Sequence, residues 1–237
     1  MAVPGAGGLS VPMVIAPSPT IGRIGHEREP IVIIDGFSSD PQALVEAAAV
    51  QTFDKRGPHY PGIRAPAPPR YLGERMDLIQ QALSTAFGLN NGADLVECNF
   101  SLVTTPPDEL APLQRMPHFD APEPDYFAVL HYLCGPEHGG TAFYRHRTSG
   151  FETVSPSRMD DYSELLDREL QRGPAAPGYL FGDTALFEQT YRVEAAFNRL
   201  VIYRGWTLHT GQVPPGHSLS PDPRKGRLTI NTFLKSR

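Results

Sequence analysis

From Asp94 to the C-terminus the chain is built of short β-branched and aromatic runs separated by Pro, Gly and Asp, and this texture excludes a helical bundle. Strands are expected at Leu95–Thr104, Pro117–Asp120, Tyr126–Leu133, Thr141–Tyr144, Tyr179–Phe181, Leu186–Tyr191, Leu200–Tyr203, Thr207–Thr210 and Arg227–Leu234. Several short strands at such spacing make a sandwich or a barrel. One helix interrupts them, over Arg158 to Arg172, with Ser155-Pro156-Ser157 as its cap and Gly173-Pro174 beyond its end.

The first third of the chain reads differently. Residues 1–25 are rich in Pro, Gly and Ala without periodicity, and the expectation is a flexible arm ahead of a single domain over 26–237. Ile31–Phe37 reads as a strand closed by Asp35-Gly36. Ser38, Ser39 or Asp40 can cap a helix that starts at Pro41 and runs to Val50. Leu72, Met76, Ile79, Leu83 and Phe87 fall at near-helical spacing, and Gly88 is placed to end that helix. Between the two helices, Gly57 to Pro69 carries too many prolines for regular structure and reads as a lid with His59 and Tyr60, Tyr71 following close behind. These helices are expected to buttress a sheet.

Composition narrows the partners. A formal net charge of −5 gives no general attraction to nucleic acid or to acidic membranes. No apolar run approaches the ~20 residues of a membrane span, and the N-terminal residues lack a basic region followed by an unbroken apolar run. The two cysteines, Cys98 and Cys134, sit in apolar strand-like segments where free thiols are the usual finding. A cytoplasmic location is the default expectation. An alternating edge strand is compatible with a homodimer, although nothing in the sequence demands one.

The stretch most able to carry chemistry is Met116–Asp120, reading MPHFD. Residues two apart on an extended segment share a face, so His118 and Asp120 can aim an imidazole and a carboxylate at one point. With a His from a distant strand they would form the 2-His-1-carboxylate facial triad of non-haem iron. An HxD also arises by accident in a chain with 8 His. The third-ligand candidate is His209, in RGWTLHTG. His131 reads as a hydrogen-bonded core residue, and His138, His146 and His217 compete more weakly. Further on, KGRLTINTFL places Arg227, Thr229 and Asn231 on one face of a strand and Leu228, Ile230 and Thr232 on the other. An inward Arg needs an anion, and a guanidinium fork suits a carboxylate; an edge strand facing water would explain the same alternation.

In order, the HxD, an apolar strand ending Tyr-Leu-Cys, GGTAFY, LVIYRG, a distal His and GRLTINTF resemble the iron(II)- and 2-oxoglutarate-dependent dioxygenases, nearest to their prolyl-4-hydroxylase-like branch. The resemblance runs from about Ile31 to Leu234. It implies a mainly β fold with flanking helices, α+β overall, around a double-stranded β-helix: a jelly-roll core of cupin type. It also implies that His118, Asp120 and His209 bind Fe(II), and that Arg227 and Thr229 hold the distal carboxylate of 2-oxoglutarate. The activity implied is O2-dependent hydroxylation of a small molecule, an amino acid derivative or a peptide-linked residue, with release of succinate and CO2. No Tyr of the kind relatives use on 2-oxoglutarate stands between Val96 and Met116, and Asn99 or Ser101 takes that place in the expectation. On the substrate side the candidates are Arg145 and Arg147 in the basic loop Phe143–Glu152, with Trp206 and Arg204 beside His209. Two other readings stay open: a catalytically silent jelly-roll that binds a ligand or partner protein, and a cupin-like metal enzyme that does not use 2-oxoglutarate.

Overall fold

The computed structural model describes residues 17–237 apart from Arg56, Pro58, Pro69, Pro174 and Ser218. Ten strands, β1 (Thr20–Ile24), β2 (Glu29–Asp35), β3 (Gly62–Pro66), β4 (Ala93–Val103), β5 (Tyr126–Tyr132), β6 (Gly140–His146), β7 (Phe187–Glu194), β8 (Arg199–Arg204), β9 (His209–Gln212) and β10 (Leu228–Ser236), are named among these residues. They form a seven-stranded sheet in the order β1-β2-β8-β5-β10-β4-β3 and a three-stranded sheet in the order β7-β6-β9. Every pairing is antiparallel. The strand order, with neighbours far apart in sequence, is that of a jelly-roll, and the mainly β fold with flanking helices is as expected.

Alternation along the strands decides what faces what. On β4 and β10, Phe100, Leu102, Leu228 and Ile230 turn to the outer face of the large sheet. There they meet Val45 and Ala48 of α1 (Pro41–Ala49) and Ile79, Ala82 and Leu83 of α2 (Met76–Phe87) in one apolar cluster. The intervening residues face the space between the two sheets, where Ala128, Leu130, Tyr132, Phe143, Val201 and Tyr203 pack. A third cluster, containing Ala142, Tyr144, Phe187 and Leu208, covers the outer face of the small sheet against Tyr162 of α3 (Met159–Arg172).

Helix ends follow their local chemistry. Asp40 accepts a hydrogen bond from Ala43 N at 3.0 Å with Pro41 at the first helical position, and Gly88, at φ 73°, closes α2. At α3 the expected serine cap is absent: Ser155 Oγ and Ser157 Oγ bond each other at 3.0 Å while a 3-10 turn, Pro156–Arg158, leads into the helix.

Four expectations need correction. Within the expected arm, residues 1–16 lie outside the described residues, and Thr20–Ile24 is a strand paired with β2. The expected lid contains strand β3, because Pro66 stands last on an edge strand, where a missing N–H leaves no ladder incomplete. Its Gly62 lies against β4 so closely that an added Cβ would sit 1.9 Å from Leu102 O. Pro117–Asp120 makes a single bridge, His118 with His209, in place of a strand, and Tyr179–Phe181 is irregular. No helix among the described residues is long and apolar enough to cross a membrane.

Candidate metal centre and adjoining anion pocket

His118 and His209 exchange backbone hydrogen bonds at 2.9 and 2.8 Å, which adds the Met116–Asp120 segment to the edge of the small sheet beside β9. Asp120 N donates to Gly205 O at 2.7 Å. Gly205 makes this approach feasible, since a Cβ there would lie 2.8 Å from the Tyr126 ring and 3.4 Å from Asp120 Cβ. Two segments 90 residues apart in sequence are thereby held in register by the backbone alone.

The side chains then converge. Ligating atoms of His118, Asp120 and His209 all lie within 4.8 Å of one another. His118 Nε2 stands 3.9 Å from Asp120 Oδ1, and His209 Nε2 stands 3.6 Å from Asp120 Oδ2. His209 Nδ1–H donates to Thr207 O at 2.8 Å, so the lone pair of the neutral ring is on Nε2 and points at the same spot. Asp120 Oδ2 is buried without a hydrogen-bond partner.

Burial pushes His209 down to about 4, with the Thr207 carbonyl opposing. Burial and the neighbouring His209 push His118 down to about 4 as well, although its side chain is half exposed (53%), and that exposure discounts the burial contribution. Burial raises Asp120 to about 6. At neutral pH the cluster is two neutral imidazoles and one carboxylate with an orphaned oxygen, a donor set that fits a divalent transition-metal ion with open positions.

A polar row runs across the inner face of the large sheet. Arg64 on β3 stands opposite Ser101 on β4, Ser101 opposite Thr229 on β10, and Thr229 opposite Tyr132 on β5. Arg227, just before β10, is buried; one of its terminal nitrogens, Nη2, donates to Gly140 O at 2.7 Å while its Nε has no partner. No carboxylate lies within ion-pair distance of it among the described residues. Ser101 Oγ is buried and faces the Tyr60 hydroxyl without a well-formed hydrogen bond. Thr229 Oγ1 donates to Asn231 Oδ1 at 2.8 Å, and Asn99 Nδ2 bonds Glu97.

The remaining candidates are engaged elsewhere. Arg204 pairs with Glu29 at 3.1 Å and lies over the Trp206 ring, whose Nε1 is buried and unpartnered. Arg145 faces Glu188 at 3.7 Å and Arg147 pairs with Asp183 at 2.9 Å. His131 Nε2–H donates to Asn198 Oδ1 at 3.0 Å in the outer, helix-covered layer. His146 lies between Ser149 and Glu169, and His138 and His217 bond each other.

Sequence reasoning named Tyr60 only as part of a lid and missed Arg64 in the same segment. The available signal was the alternation Ile63, Arg64, Ala65, in which Ile63 packs on the helix-side core and Ala65 is buried. Burial raises the Tyr60 hydroxyl, while Arg227, Arg64 and the Ser101 hydroxyl that faces it pull it back. Tyr60 therefore lies within electrostatic reach of both guanidinium groups, in the region where the sequence offers no Tyr on β4.

Fold and site together define a jelly-roll protein with a His-x-Asp…His cluster between its sheets. Residues 16–234 match the family described as "Family of unknown function (DUF6445)", and the chain belongs to that family. Among curated proteins none matches. Among solved structures it is similar to HygX from Streptomyces hygroscopicus, determined with nickel and 2-oxoglutarate bound, at 12% identity and a TM-score of 0.50, over 87% of this chain and 82% of that one. It also aligns with an N-substituted L-amino acid dioxygenase from Burkholderia ambifaria AMMD at 11% identity and a TM-score of 0.41, over 92% and 95% of the two chains. At these identities the likeness concerns the fold.

Proposed function

We propose that this protein is an Fe(II)- and 2-oxoglutarate-dependent oxygenase that hydroxylates a small molecule, an amino acid derivative or a peptide-linked residue. The observation that carries the reading is the convergence of His118, Asp120 and His209 within 4.8 Å on a jelly-roll, with the carboxylate oxygen Oδ2 of Asp120 orphaned. HygX, of the same fold, binds 2-oxoglutarate and a metal. Bound Fe(II), with O2 and 2-oxoglutarate, supplies the oxidation of a C–H bond to C–OH, with succinate and CO2 as the other products.

The chain's own groups do the positioning. His118, Asp120 and His209 would hold the ion through their converging ligating atoms. Thr207 O keeps the His209 ring in the ligating tautomer. Arg227, buried with a free Nε, takes the distal carboxylate of the co-substrate, and Thr229 and Ser101 line its path along the inner face. The flanking apolar cluster around Tyr132, Phe143 and Tyr203 excludes water from that path.

The test is an anaerobic titration of metal-free protein with Fe(II) and then 2-oxoglutarate, following the weak visible charge-transfer band of the chelate. The expected outcome is a band in the wild type, none in His118→Ala, and at least about tenfold weaker 2-oxoglutarate binding in Arg227→Ala. Iron binding without the band would leave a metal enzyme that does not use 2-oxoglutarate. Binding of neither would leave a ligand-binding jelly-roll.

A further inference from the structure

The inner face carries two guanidinium groups, and one dicarboxylate co-substrate accounts for only one of them. Arg227 lies beside Gly140 and Gly211, and its charge is felt at Tyr132, Cys134 and His138. Arg64 stands at the other end of the polar row, opposite Ser101 on the edge strand. Its charge is felt at His118 and Asp120. Both cations reach Tyr60, and Arg64 is the one whose charge also reaches the metal ligands.

Arg64 is held in place without being neutralised. Its guanidinium lies 4.3 Å over the Tyr60 ring, which fixes the plane of the fork. The side chain is 17% exposed, and its Nε is buried with no partner. Among the described residues the one carboxylate within ion-pair distance of it is Glu97, 4.0 Å away and half exposed, whose same oxygen already takes the Asn99 amide. An ion pair that long and wet leaves most of the charge available. Beside the fork, the Tyr60 hydroxyl is also buried, facing only the Ser101 hydroxyl and making no well-formed hydrogen bond to it. Unmet buried donors of this kind are costly unless a ligand satisfies them.

We propose that Arg64 and Tyr60 form an anion subsite beside the metal centre that binds a carboxylate of the primary substrate, so that the substrate is a small carboxylic acid oxidised near its carboxylate. One guanidinium and one hydroxyl match the single charge and two acceptor oxygens of a carboxylate. The substrate class rests on the oxygenase reading. The anion subsite itself does not, because it needs only the residues of β3 and the turn before it.

Ligand-observed NMR on the metal-free protein separates the two, with hexanoate as the probe and hexanamide as its neutral counterpart. Hexanoate is expected to bind the wild type, and at least about tenfold more weakly Arg64→Gln, while hexanamide binds neither. Arg64→Lys, which keeps the charge and loses the fork, is expected to recover part of the affinity, and all variants are compared at matched ionic strength and with their melting temperatures. Unchanged hexanoate affinity in Arg64→Gln overturns the proposal.

The Fe(II)·2-oxoglutarate band provides the second arm. Arg64→Gln is expected to bind 2-oxoglutarate within about twofold of wild type; a loss of about tenfold would assign Arg64 to the co-substrate and overturn the substrate subsite while leaving the oxygenase reading intact. Absence of the band in the wild type would remove the oxygenase reading, and hexanoate would still decide for or against the anion subsite.

Discussion

Two faces of the same strands behave as different materials. On the helix-covered face of the large sheet, Phe100, Leu102, Leu228 and Ile230 are fully buried in an apolar cluster with α1 and α2. On the inner face the residues between them, Ser101, Thr229 and their neighbour Arg64, are polar, and several of their atoms have no partner. The helix side is an apolar layer in which Tyr71 Oη and His131 Nδ1 are the isolated polar exceptions among the described residues, whereas the inner face is a continuous row of polar side chains. A strand of period two can serve both because adjacent residues never share a face.

Adjacent positions should therefore respond in opposite ways. Phe100→Ala removes a fully buried ring from the helix-side cluster and is expected to cost about 3–5 kcal/mol of unfolding free energy. Ser101→Ala, one residue on, removes a small buried hydroxyl that faces the Tyr60 hydroxyl without a well-formed hydrogen bond, and is expected to change stability by no more than about 1 kcal/mol. Urea denaturation of both variants decides; a loss of several kcal/mol at Ser101 would mean that the inner face is also structural.

The same alternation explains how much the sequence could reveal. Strands β5 and β8 were legible as short continuous runs of apolar, β-branched and aromatic residues, buried on both faces, and the faces of Arg227–Thr232 were legible because apolar and polar residues alternate there. His118, Asp120 and His209 could be picked out because HxD is a local spacing and a third ligand need only be a His on a later strand. β3 was not legible: Tyr60 and Arg64 sit among prolines, which normally argue against a strand, and only the edge position makes Pro66 harmless. The bridge that replaces the expected strand at Pro117–Asp120 depends on His209, 91 residues away from His118, and no local pattern encodes a pairing of that range.

His131 sharpens the contrast from the helix side, since it is a buried titratable group that no ligand site uses. Its ring is stacked on Tyr71 at 5.6 Å, its Nε2–H bonds Asn198, and burial pushes it from the ordinary 6.5 down to about 4. Between these two values the unfolded chain binds a proton that the folded chain refuses. Stability is thus fully present above pH 6.5 and falls as the pH drops towards 4, by roughly 3 kcal/mol from this residue. His118 and His209 act in the same direction and Asp120 in the opposite one, so the test is a difference between proteins. His131→Gln should lose less stability than wild type between pH 6.5 and 4 by about that amount. Parallel curves would place the pH dependence elsewhere.

The smallest effects are expected at Arg145 and Arg147, where the basic loop meets solvent. Arg145 donates to Gly150 O and faces Glu188 at 3.7 Å, while Arg147 donates to Thr184 O and pairs with Asp183 at 2.9 Å. Each is about a third or more exposed, so each pair contributes between nothing and about 1 kcal/mol. Their charges are already met by carboxylates of the chain, whereas the fork of Arg64 keeps a bare Nε. Arg145→Ala and Arg147→Ala should each change stability by less than about 1 kcal/mol and hexanoate affinity by less than about threefold. A tenfold loss of hexanoate in either variant would move the anion site from β3 to the Phe143–Glu152 loop. It would also mean that Glu188 or Asp183 releases its arginine when the ligand arrives, because a guanidinium fork cannot hold two carboxylates by the same pair of N–H groups.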